Sequence, residues 1–332
     1  MTSATETADD GGATATDLSA LHPDIVKSHV LTRLDGTALA SAACCSTDLR
    51  RLSSEEDLWA TVCRATWPST SLRRLSEFVS AFPNGGARAF FSHAFRIPAD
   101  DEDVGNQCSS PPPPELISAV DIFHGDKLIF SKVQETETVT GWFRCSPFRI
   151  DLLDPKDLVL TPMKHPQGDQ SCKEMMDCMT LSWILIDPIG RRAVNLSSHS
   201  PVAVHRHWLT GDVQVRYAAI ISRHVQCAAV VTCGGSEGGE MQVREVNLEM
   251  EEMDGTRLNG KDSLVFLHRA LEGKRGTGKN KVQLAKRRYN QFLETKRQRK
   301  ERMVRTEEAL DMFCVAFGLS TFVAIWCFLL CT

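Results

Sequence analysis

None of the twelve cysteines stands at two-residue spacing from another, and Cys172 and Cys178 are separated by five residues in a methionine-rich segment. No structural zinc is expected, because a zinc knuckle needs closely spaced thiolates. The first seventeen residues, MTSATETADDGGATATD, lack the apolar core of a secretory leader. The expected compartment is therefore reducing, with free thiols that mostly behave as small buried apolar groups. A complete phosphate-binding loop is also missing. Gly273 to Asn280 mimics its spacing, but Asn280 replaces the hydroxyl that would ligate magnesium, and a helical pattern precedes it in place of a strand. No nucleophile elbow, assembled triad or internal repeat is evident, so neither catalysis nor a cofactor is expected.

What the chain does hold is folded material: 42% hydrophobic and 24% charged residues over 332 positions suit two domains. Residues 1–17 are small and polar and read as disordered. From Leu21 a series of short helices follows. Pro23 suits a first turn, and Ile25, Val26, Val30, Leu31 and Leu34 recur at helical spacing up to Asp35-Gly36. A second short helix carries Leu39, Ala40 and Ala43. Ser53 with Glu56 spells a capping box opening a helix with Leu58, Trp59 and Val62. So small a bundle cannot bury all these apolar side chains, and a partner is implied. Two further amphipathic patterns, Leu72 to Phe82 and Phe90 to Phe95, extend the bundle to residue 97.

The order of leucine-proline start, isoleucine-leucine helix, small-residue helix and leucine-tryptophan pair in residues 18–63 resembles the F-box motif. His22 between Leu21 and Pro23, and Cys44-Cys45, depart from its usual pattern. Residues 140–157, 181–198 and 205–218 are similar to a plant F-box subfamily whose second domain has no assigned biochemistry. The resemblance implies that Leu21, Pro23, Ile25, Val26, Val30, Leu31, Leu34, Leu39, Leu58 and Trp59 dock a Skp-type adaptor and through it a cullin. It further implies a non-catalytic substrate receptor of an SCF-type ubiquitin ligase, with a protein substrate held by the second domain.

Acids, Gly, Ser and four consecutive prolines make 98–114 a semi-rigid linker. Beyond it the period turns extended. Candidate strands lie at 115–123, 128–133, 138–145, 148–153, 179–187, 191–197, 202–209, 213–221, 225–233 and 241–250, with mobile loops at 161–178 and 233–239. No helix-length segments separate them, so the fold class is α+β: a helical bundle, then a mainly antiparallel β sandwich or barrel over 115–272. Trp142, Phe143, Phe148, Trp183 and Trp208 are expected to anchor its core, with a pocket for a glycan or small metabolite as the alternative that would make the domain a sensor. His199, His205 and His207 cluster without a nearby carboxylate and read as solvated or core-capping groups.

A helix with Asp262 as cap is expected over 262–272. Residues 273–311 then form a basic helix; between 273 and 305 stand thirteen Lys or Arg against two Glu. Met312 to Cys331 is twenty residues without a charge, long enough to cross a bilayer. Aromatic interleaving is thin, so lipid rather than nucleic acid is the expected partner, through Arg297, Lys300, Arg302 and Arg305 at headgroups and Phe313, Phe317, Phe322 and Trp326 in the hydrocarbon. The expected location is cytosolic domains anchored to an internal membrane, or soluble cytoplasm or nucleus if that helix is packed instead.

Overall fold

In the computed structural model residues 21–99, 111–154, 156–166, 174–175, 177–235, 239–276 and 280–331 are described. The segment expected to be disordered, most of the linker, 277–279 of the glycine-rich string, and parts of both expected loops lie outside them. The described chain mixes helices with antiparallel sheets and ends its order of elements on one long helix.

A helical run opens it: α1 (Pro23–Ile25), a π segment Val26–Val30 and a 3-10 turn Leu31–Arg33. Then come α2 (Gly36–Ala42), α3 (Thr47–Ser53), α4 (Glu56–Thr66), a 3-10 turn Pro68–Ser71, α5 (Arg73–Ser80) and α6 (Gly86–Phe95). The sandwich is built from β1 (Glu115–His124), β2 (Lys127–Glu137), a short α7 (Gly141–Cys145), β3 (Arg149–Asp151), β4 (Val159–Lys164), β5 (Met179–Asp187), β6 (Arg192–Asn195), β7 (Ala203–Arg206), β8 (Val213–Ile221), β9 (Val225–Gly234) and β10 (Glu240–Glu252). Last are α8 (Gly260–Glu272) and α9 (Lys281–Cys331).

The strands make a four-stranded sheet, β2-β1-β5-β6, and a six-stranded sheet in which β3 and β4 both pair with β10, continuing to β9, β8 and β7. Alternation along each strand distributes the core. Leu116, Val120 and Ile122 of β1 and Leu181, Trp183 and Leu185 of β5 face the second sheet, meeting Val215, Tyr217, Ala229 and Leu248. The opposite positions, Ile117, Ala119, Ile184 and Ile186, face the N-terminal helices and join Trp59, Trp67, Phe90 and Phe91 in a second core. Ala218 and Ile220 on the outer side of the six-stranded sheet are covered by Tyr289 and Phe292 of α9. The layers are thus helices, sheet, sheet and helix, and the sequence break at 98–114 does not separate two independent cores.

A buried carboxylate joins helices to sheet. Asp121 on β1 is wholly buried and accepts hydrogen bonds from the Ser69 backbone N–H at 2.9 Å, the Ser69 hydroxyl at 2.6 Å and the Ser131 hydroxyl at 2.6 Å. Outside it, Arg74 pairs with Glu115 and Glu135. Within the bundle, Gly36 permits close packing: an added Cβ there would lie 2.1 Å from the Phe91 ring.

Several expectations change. Asp35-Gly36 starts an element where a stop was read, with the Asp35 carboxylate accepting from Ala38 N–H at 2.7 Å. Ser53 closes α3, an extra helix, so no capping box opens α4; Glu56 instead accepts from Ala87 N–H at 2.8 Å and caps α6. Residues 141–145 are helical because Thr140 caps the Phe143 N–H. β4 occupies the start of an expected loop, and Asn259, not Asp262, caps α8. Trp183, Phe143 and Phe148 are core residues, but Trp142 and Trp208 are 81% and 87% exposed.

Asp121 generates a prediction with a definite sign. Burial raises its pKa, opposed by the Ser131 and Ser69 hydrogen bonds. The folded carboxyl therefore holds its proton to higher pH than the unfolded one, so its contribution to stability falls as pH rises from the ordinary carboxylate range through the raised folded value. Urea unfolding across that window should show this slope in the native chain and not in Asp121→Asn. At neutral pH Asp121→Ala should cost about 1–3 kcal/mol for each buried donor it strands.

Candidate functional site

The first helical run owes its start to His22, whose Nδ1 accepts from Asp24 N–H at 3.3 Å, followed by Pro23 in the first turn. The residue that departs from the family pattern thus serves as the cap. Lys27 pairs with Glu55, which ties the run to the start of α4, and the Glu55 hydrogen bond is the main cause of the raised Lys27 pKa. Trp59 donates its Nε1–H to the Ser53 carbonyl at 2.6 Å and lies with its ring centroid 5.4 Å from that of Phe91.

The ten residues expected to meet an adaptor divide into distinct groups. Val26, Leu31, Leu39, Leu58 and Trp59 are buried in the core of the bundle. Leu34 is half-buried and packs against that core. Leu21, Pro23, Ile25 and Val30 are exposed, the three aliphatic side chains at 47%, 46% and 38%. Across the π segment Val26 and Leu31 both turn inward, and Ile25 and Val30, the residues just before them, remain outside. A solvent-facing apolar strip on a bundle whose interior is already filled is what a docking surface offers.

Other candidates do not converge. His205 and His207 are exposed, whereas His199 is half-buried, its Nδ1 without a partner among the described residues and its pKa pulled to about 4 by burial and by the charge of Lys281. No group of three or more His, Cys, Asp or Glu placed to hold a metal occurs among the described residues. Gly234 to Gly238 has the letters of a nucleophile elbow, contrary to the reading above. The next described element after it is the strand β10, however, and not the helix such an elbow requires; residues 236–238, Ser236 among them, lie outside the described residues. The phosphate-loop mimic follows helix α8, as its sequence suggested.

α9 continues past its sheet contact as a free helix. From Arg297 to Leu330 every residue is exposed, Arg297, Lys300, Arg302 and Arg305 included. Phe313, Phe317, Phe322 and Trp326 belong to its apolar end, where the large side chains from Met312 to Leu330 are 56–73% exposed. By length and hydropathy this is one helix able to cross a membrane, with a mean hydropathy of 2.3 in its most apolar window.

Comparison with known proteins supplies the class. Three Arabidopsis thaliana proteins align over nearly the whole chain. "Probable F-box protein At2g36090" is 47% identical over 96% of this chain and 95% of its own length. "F-box protein At2g27310" is 42% identical over 94% and 96%, and "F-box protein At3g44326" is 40% identical over 95% and 90%. No model of a known protein family matches the chain, and no solved structure does. The chain belongs to a plant subfamily of F-box proteins.

The division between buried and exposed residues of this run predicts unequal effects on stability. Leu31→Ala should lower unfolding free energy by about 2–5 kcal/mol through the cavity it leaves. Ile25→Ala should stay within about 0.5 kcal/mol of the native chain. Denaturant titration of both variants at one pH distinguishes them.

Proposed function

We propose that the chain is a substrate-receptor subunit of an SCF-type cullin-RING ubiquitin ligase, with no chemistry of its own. The observation that carries this reading is the strip of Leu21, Pro23, Ile25 and Val30, apolar side chains exposed beside a completed core in a member of the F-box proteins. A Skp-type adaptor would cover the strip and link it to the cullin. The sandwich, residues 115–272, would hold the protein substrate, with the exposed Trp142 and Trp208 as its available anchors. Ubiquitin transfer would then follow from proximity, because holding a substrate lysine beside the charged carrier raises its effective concentration.

Membrane attachment completes the proposal. A row of exposed Phe, Leu, Val and Trp side chains all round a helix is costly in water and suited to hydrocarbon. The basic stretch before it, Arg297 to Arg305, would face anionic headgroups on the cytosolic side. The layers would then sit in the cytosol against an internal membrane.

Calorimetry of the full chain in detergent against a Skp-type adaptor tests the first part. Ile25→Ala and Val30→Ala are each expected to weaken association by about 1–3 kcal/mol while leaving the melting temperature unchanged. A folded full-length chain that shows no heat of binding sinks the receptor reading. For the second part, carbonate extraction should leave the full chain in the membrane pellet and release a version ending at Asp311. Release of the full chain would overturn membrane insertion.

A further inference from the structure

A cavity of about 730 Å³ lies among α2, the C-terminal half of α6 and the first turn of α9, apart from the exposed apolar strip. Its size is that of a small-molecule site. The walls are apolar, with Trp59, Phe91, Phe95 and Leu284 among them, while Thr37, Ser41 and Ser92 bring hydroxyl-bearing side chains. The charged residues lining it are Arg88, Arg96 and Lys281, and no Asp or Glu is among the described residues that do so. Fixed charge of one sign in a half-open, aromatic-walled recess is a recognisable arrangement: it attracts the opposite charge and offers a ring-bearing body a surface to pack on.

The electrostatics agree with the geometry. Lys281 sits with its ammonium 3.5 Å from the centroid of Phe95, and burial pulls its pKa down to about 8. His93, next to the lining residue Ser92, is lowered by burial and then by Arg275 and Arg96. His199 is lowered by burial and then by Lys281. The neighbourhood is thus positive enough to act on imidazoles around it. Lys281 also stands at the start of α9, where Asn280 caps the Gln283 N–H at 3.3 Å and the helix dipole adds to the positive field. An anionic group in the recess would raise the Lys281 pKa back toward its ordinary value and offset part of the desolvation penalty that burial imposes on the ammonium.

We propose that this cavity binds a small organic anion, with an aromatic or other apolar body against Trp59, Phe91 and Phe95 and a carboxylate, sulfonate or phosphate at Lys281, Arg96 and Arg88. Because the cavity is lined by both the N-terminal bundle and the start of α9, occupancy would brace the bundle against the long helix. The site is independent of the adaptor-docking strip and of any substrate held by the sheets.

The test is isothermal titration of the full chain in detergent, with empty micelles subtracted, using 2-naphthoate, 2-naphthyl phosphate and 2-naphthalenesulfonate, and the uncharged 2-naphthamide as control. At least one anion should bind saturably and about tenfold or more tightly than the amide, as a charge-assisted contact requires. Lys281→Met and Arg96→Met should each weaken the anion by about tenfold and leave the amide unchanged, Lys281→Arg should retain binding, and Ser92→Phe should abolish both by filling the space. Arg96 is exposed, so its variant keeps the test available if Lys281→Met fails to fold. Failure of all three anions to bind saturably up to millimolar concentration overturns the proposal. So does equal affinity for anion and amide, or unchanged anion binding in folded Arg96→Met.

Discussion

Ile117, Ala119, Ile184 and Ile186 point away from the interior of the sandwich, and the arrangement of the whole chain depends on their being covered. A sheet that is apolar on both faces cannot be left open on one side, since each aliphatic side chain returned to water forfeits about 1.5–3 kcal/mol. The N-terminal helices supply the cover with Trp59, Trp67, Phe90 and Phe91. In return the helices gain a wall that a bundle of such short elements could not make for itself. Asp121 fixes the register of this contact, because three donors from two elements converge on one carboxylate and no apolar packing could specify position so narrowly.

That dependence would set how the proposed adaptor and substrate sites relate. In a chain with two separate cores joined by a flexible linker, the distance between bound adaptor and bound substrate would be variable. Here the bundle and the four-stranded sheet share one core, so the strip at Leu21 to Val30 and the far edges of the sandwich belong to one packed unit. On the receptor role proposed above, a chain built this way would present substrate at a set distance, and effective concentration is highest when the span is fixed near the reacting geometry.

Most of the strands were legible because their residues alternate between two buried faces and are bounded by turn formers. β5 and β8 fall where the patterns at 179–187 and 213–221 placed them, and Gly125 with a positive φ of 56° makes the two-residue turn between β1 and β2. The failures have local causes. Trp142 and Phe143 look like strand residues until Thr140 is seen to cap a helix. β4 was hidden by Pro162 and by alternating exposed residues, as befits a strand that, among the described residues, pairs with β10 alone. α3 was missed because Leu49 and Leu52 are its only large apolar residues. The candidate strip was legible as composition but not as direction: Ile25 and Val26 are equally apolar and adjacent, and only the π segment decides which of them faces out. The cavity left no linear signal, since Arg88, Arg96 and Lys281 come together only through the fold.

α9 carries the consequence furthest. Tyr289 and Phe292 pack on the outer face of the six-stranded sheet, and Lys296 pairs with Glu251 at the point where the helix leaves it. The same helix then runs on without a break through Arg297 to Arg305 and into the apolar stretch. At 1.5 Å per residue the charged stretch between the sheet contact and Met312 spans about 22 Å. With the apolar end in a bilayer, this stretch would act as a stalk rather than a tether, because a continuous helix transmits orientation and a flexible linker does not. The sandwich would be held at a set height above the headgroups, within a few Debye lengths of their charge. Substrates reachable by such a receptor would be those that present themselves near the same membrane, so selection by place would precede selection by contact.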